Sequence, residues 1–129
     1  MPLSQQILVV ALKCLSVTFC LTGCRTVLLG IATLTDKPAF SATTALTDSQ
    51  LRYHAAGFVG CGIICWWASD SLSERHIPFA ILCGVVMMGG IGRALSAWQY
   101  GFGAPWTRRA IWVELLVPIG LWGLWMLGP

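Results

Sequence analysis

The sequence predicts an all-α fold, an integral membrane four-helix up-down bundle. Of its 129 residues 57% are hydrophobic and only 10% are charged, whereas soluble domains carry about a quarter charged residues. Four apolar runs approach the roughly 20 residues that a helix needs to cross the hydrocarbon core. Polar, turn-forming segments separate them.

The first run predicts a helix over about 8–34, interrupted by Lys13 and Arg25. The amino terminus, MPLSQQ, lacks the positive region of a signal peptide, so this stretch is expected to stay as a helix. A long polar loop over 35–48 follows. Thr47, Asp48 and Ser49 are candidate N-caps for a second helix over 49–69. The segment DSLSERHIP leads to a third helix over 79–100, and Pro78 suits a helix start. A glycine-containing loop over 101–106 leads to the fourth, over 107–127. Short connections favour antiparallel neighbours. The chain is therefore one transmembrane domain, 1–129.

Lys37, Arg108 and Arg109 lie in or beside the loops 35–48 and 101–106, which the positive-inside rule places in the cytosol. In a eukaryotic cell the default membrane for such a multi-pass protein is the endoplasmic reticulum. Trp98, Tyr100 and Trp106 fall at one predicted boundary and Trp66, Trp67 and Trp125 at the other, as aromatic belts do. The net charge of +3 is dispersed and forms no basic tract, which excludes a nucleic-acid partner.

Small residues at helical spacing, Ala56 with Gly60, Gly57 with Cys61, Gly84 with Met88 and Gly92, and Gly89 with Arg93, are expected to let helices approach closely. All six cysteines lie in apolar runs and read as packing residues. Cys20 with Cys24 and Cys61 with Cys65 have the spacing of soft metal ligands, but no histidine accompanies them, so no metal and no cofactor is expected. Lys13 is read as snorkelling, and Asp70, Glu74, Arg75 and His76 as a solvated loop.

The informative residues are the charges inside the runs. Counting about 1.5 Å per residue from the helix ends, Arg25 is about 12 Å deep, Arg52 about 5 Å, and Arg93 and Glu114 about 10 Å each. Because the chain reverses at every loop, these positions fall in one slab, with Asp48 at its rim. Charges within spanning helices face a bundle interior or water and seek partners. A network of Arg25, Arg52 and Arg93 with Asp48 and Glu114 is therefore expected. Thr22, Gln50, Tyr53, His54 and Ser96 lie at similar depth. Pro118 deprives the Glu114 carbonyl of its amide donor.

The segments DSQLRYHAAGFVGCG, GGIGRALS and WVELLVP resemble a family of small four-helix membrane proteins, the domain of unknown function 4345, over Asp48 to Pro118. His54 and Ala56 depart from the aromatic and glycine that the resemblance implies there. It implies Arg52, Arg93 and Glu114 as the site. Some fungal members are similar to small membrane hydrolases that open epoxides in polyketide and terpenoid pathways. The leading expectation is thus an enzyme that opens an epoxide on a lipophilic small molecule by acid and base catalysis. Glu114 and Asp48 would divide the acid and base roles, Arg52 and Arg93 would orient them, and Tyr53 and His54 are alternative proton donors. Arg25, Gln50, Thr22 and Ser96 would contact substrate. The alternatives are a membrane scaffold or accessory subunit, and a small transporter that would have to form a homo-oligomer.

Overall fold

In a computed structural model, which describes residues 3–34, 42–102 and 105–127, every regular element is helical. Four long helices are found: α1 (Leu3–Leu29), α2 (Ala42–Ser69), α3 (His76–Tyr100) and α4 (Pro105–Met126). A short 3₁₀ turn, Gly30–Thr33, follows α1. The apolar runs form helices because only a helix satisfies every backbone N–H and C=O within one segment in lipid. Three stretches, Leu3–Thr33, His76–Tyr100 and Pro105–Met126, are long and apolar enough to cross a membrane. Large apolar side chains such as Leu28, Ile81, Trp98 and Leu116 stand exposed along them. Such surfaces suit a bilayer.

The helix ends correct the sequence reading: α1, α3 and α4 begin at Leu3, His76 and Pro105, ahead of the expected 8, 79 and 107, so His76 is the first residue of α3 and not loop. Residues 42–48, expected as loop, are the first two turns of α2, so Thr47, Asp48 and Ser49 lie inside the helix and do not cap its start. Residues 35–41, with Lys37, and residues 103 and 104 lie outside the described residues. The first helix also stops five residues early: Gly30, at φ +56°, turns the chain into the 3₁₀ segment. That conformation is steep for any residue with a Cβ.

The chain falls into two compact units, residues 11–70 and residues 1–10 with 71–129. The first holds an antiparallel hairpin of α1 and α2. Its seam runs from Lys13 beside Asp70, through Ser16 and Cys20 against Gly62 and Gly23 against Ala55 and Val59, to Val27 beside Arg52. Phe19 and Phe58 flank it with ring centroids 5.7 Å apart. Steps of four and three along α1 mark one helical face.

The second unit holds an antiparallel hairpin of α3 and α4. His76 stacks on Trp125 and Phe79 on Trp122 at one end, and Gly90 meets Glu114 and Leu115 towards the other. A Cβ on Gly90 would lie 3.0 Å from Leu115 Cδ2 and 3.1 Å from Glu114 Cβ. Glycine therefore sets how closely the two helices approach.

The expected small-residue contacts are corrected. Gly57, Gly60, Gly84 and Gly92 have nothing within 4 Å of where a Cβ would stand among the described residues, and Gly89 makes only ordinary contact with Glu114. The close approaches are made by Gly23, Gly62 and Gly90 instead. Among the cysteines, Cys65 and Cys83 are buried as packing residues should be, while Cys14 and Cys24 are exposed.

Candidate functional site

The described residues of each unit include an arginine and carboxylate pair, and the two are built differently. In the α1–α2 hairpin, Asp48 and Arg52 are one helical turn apart, which places both on the same face of α2. Arg52 Nε donates to Asp48 Oδ2 at 2.7 Å. Arg52 Nη1 donates to the carbonyls of Val27 at 2.5 Å and Leu28 at 3.1 Å. Asp48 Oδ1 accepts from the Ile31 amide at 2.6 Å.

Those acceptors belong to the end of α1, where the last carbonyls have no partner within the helix. The neighbouring carbonyls are also satisfied: Thr33 Oγ1 donates to that of Gly30 at 2.8 Å, and the Leu34 amide to that of Ile31 at 2.9 Å. A Cβ on Gly30 would run into Asp48 and Arg52. Glycine is thus needed there twice, for its backbone angle and for the space. The whole arrangement is a side-chain cap that ends one helix and fastens it to the next.

In the α3–α4 hairpin, Arg93 Nε donates to both carboxylate oxygens of Glu114, each at 3.0 Å. The Glu114 side chain is only 18% exposed. Arg93 Cζ lies 5.7 Å from the ring centroid of Trp106, within cation–π range. Among the described residues the two Nη groups of Arg93 make no hydrogen bond. Pro118, buried inside α4, leaves the Glu114 carbonyl without its helical donor. The pair therefore offers, in a partly dry setting, a carboxylate beside up to four uncommitted N–H donors.

The remaining expected residues separate from these pairs. Arg25 is exposed on α1 and has no ion pair or hydrogen bond among the described residues, which corrects its assignment to the network. It lies two positions from both Gly23 and Val27, so helical geometry turns it away from the seam. Tyr53 is 76% exposed and meets His54 edge-on. His54 Nδ1 is 2.7 Å from the Gln50 carbonyl, and Gln50 is itself exposed. Thr22 Oγ1 donates to the Thr18 carbonyl at 2.7 Å, an interaction within its own helix. Ser96 is exposed, one turn beyond Arg93. Among the described residues, Asp48 pairs with Arg52 within one unit and Glu114 with Arg93 within the other.

Trp106 beside Arg93 and the α1 carbonyls beneath Arg52 were not anticipated. For the second, the available signal was Gly30 near the end of the first apolar run together with Asp48 and Arg52 at i, i+4 spacing on the next helix.

Four helices without a strand among the described residues, three of them fit to cross a membrane, and a part-buried ion pair between two of them define a multi-pass helical membrane protein. The chain belongs to the family described as Domain of unknown function (DUF4345), which it matches over residues 7–126. The match extends beyond the segment from Asp48 to Pro118 that carried the resemblance in sequence. No curated protein and no solved structure matches it.

Proposed function

We propose that the chain is a small membrane enzyme acting on a lipophilic small molecule, with the Arg93–Glu114 pair as its reaction centre and epoxide opening as its chemistry. The observation that carries this reading is how Arg93 divides its donors. Arg52 spends its guanidinium on a carboxylate and two carbonyls. Arg93 commits only Nε to Glu114, so its Nη donors remain for a ligand oxygen.

Glu114, whose two carboxylate oxygens are engaged only by Arg93 Nε among the described residues, is assigned the role of base. It takes a proton from water, or from a hydroxyl of the substrate, as that oxygen forms a bond to an epoxide carbon. The carbon–oxygen bond of the ring breaks, and the departing oxygen is held by Arg93 Nη donors as negative charge develops. The proton on Glu114 then passes to that oxygen, leaving a diol or a cyclic ether alcohol. Asp48 takes no part in this scheme, because the Ile31 amide and Arg52 Nε each occupy one of its oxygens. The connection between α1 and α2 and that between α3 and α4 would face the cytosol, with Arg108 and Arg109 exposed beside the latter.

The test uses purified protein in nanodiscs with a panel of long-chain and isoprenoid epoxides in ¹⁸O-labelled water. The reading expects a diol carrying one ¹⁸O atom, or a cyclised alcohol carrying none, and a loss of more than about 100-fold in Glu114→Gln, the range expected for removal of a general base. Failure to open any epoxide of the panel, or full activity in Glu114→Gln, overturns it.

A second reading, an accessory subunit that packs against a partner, is favoured by Gly84 and Gly92. These lie on α3 with open space above them, where another helix could approach. It expects Gly84→Leu to abolish co-purification of a partner while Glu114→Gln does not.

A further inference from the structure

Far along the α1–α2 hairpin from the Asp48–Arg52 cap, the seam opens into a groove of about 510 Å³. Val17, Cys20 and Leu21 of α1 and Ile63, Trp66 and Trp67 of α2 line it, and the lining is almost entirely apolar. Asp70 lines one end, and Lys13 stands beside it, with Lys13 Nζ 3.8 Å from Asp70 Oδ1 and 5.1 Å from the centre of the Trp66 ring. Both charged side chains stay about half open, at 42% and 51% exposure.

We infer that this groove is a lipid site selective for a zwitterionic phospholipid with a primary ammonium, of the phosphatidylethanolamine type. The groove runs about 12 Å along α1 from Lys13 to Leu21, and its open apolar walls suit the upper part of an acyl chain. The charged end carries one positive and one negative group, side by side. It therefore complements a headgroup that also carries both signs, with phosphate facing Lys13 and ammonium facing Asp70. An anionic headgroup would satisfy Lys13 and be repelled by Asp70. A quaternary ammonium would need an open aromatic face, but Lys13 already covers Trp66. A primary ammonium can instead donate hydrogen bonds to the carboxylate. The inference is independent of the proposed chemistry at Glu114.

The test is native mass spectrometry of the detergent-purified chain titrated with dioleoyl phosphatidylethanolamine, phosphatidylcholine or phosphatidylglycerol. One retained phosphatidylethanolamine is expected, bound about five-fold tighter than the other two. That factor is the upper range for a partly exposed ion pair. Asp70→Asn should erase the preference over phosphatidylcholine. Lys13→Met should weaken phosphatidylethanolamine and phosphatidylglycerol together by about three-fold. Val17→Trp, at a position 49% exposed, should fill the groove and remove the retained lipid without lowering the thermal midpoint. Should that variant unfold, Leu21→Trp, at 67% exposure, makes the same test. Equal retention of all three lipids, a preference for phosphatidylglycerol, or selectivity that survives Asp70→Asn would overturn the inference.

Discussion

Replacing Arg52 with methionine removes the donor of two α1 carbonyls while keeping the length and apolar stem of the side chain. Val27 and Leu28 are in the last turn of α1, so neither carbonyl regains a helical partner. The site is partly open, which puts each orphaned carbonyl near the low end of the usual penalty, about 1 kcal/mol. The ion pair with Asp48 is solvent-screened and adds little. Arg52→Met should therefore lose about 2 kcal/mol of stability, and Arg52→Lys should recover only part of it, since an ammonium has no planar fork. Equilibrium unfolding in dodecylmaltoside on titration with sodium dodecyl sulfate measures the loss. Amide exchange locates it: the Ile31 N–H, held by Asp48 at 2.6 Å, and the Leu34 N–H should exchange faster. A change below about 0.5 kcal/mol, the size typical of a bare surface substitution, with Ile31 still protected, would refute the cap.

Gly30→Ala should lose at least about 1 kcal/mol, because alanine resists φ +56° and its methyl would displace Asp48 and Arg52; the same unfolding assay reads it. Arg25→Leu, by contrast, should shift stability by no more than about 0.5 kcal/mol, since no partner is lost. Gly90→Val should push α3 from α4 and cost about 1 to 3 kcal/mol, seen by unfolding and by weaker quenching of Trp106 fluorescence as Arg93 is drawn off its ring.

Apolar length and the cost of unpaired backbone in lipid made the four helices legible, since no other local structure tolerates such runs. The ends were less legible. The segment ATTALTD is rich in residues that cap helices as readily as they continue them, so the start of α2 was placed seven residues late. Gly30 sits in an unbroken apolar run and was read through, although its backbone ends α1. Depth arithmetic brought out Asp48, Arg52, Arg93 and Glu114, and i to i+4 spacing alone joins the first two. It misjudged Arg25 because depth is one coordinate and helical phase another. Ser16, Cys20, Gly23 and Val27 mark the true seam of α1, and Arg25 lies on the opposite side. The pairing of Lys13 with Asp70 was missed for a related reason. A loop residue and a residue mid-helix become neighbours only once the antiparallel register is known.

The proposal rests on a division of labour: Asp48 and Arg52 hold the fold, while Arg93 and Glu114 are the proposed reaction pair. Product formed per folded molecule, compared for Asp48→Asn and Glu114→Gln in the same nanodisc preparation, tests it most directly. The account predicts that Asp48→Asn lowers the unfolding midpoint yet keeps near-parental turnover per folded molecule, while Glu114→Gln retains less than about 1%. Equal losses in the two variants, or turnover that follows Asp48 instead, would contradict it.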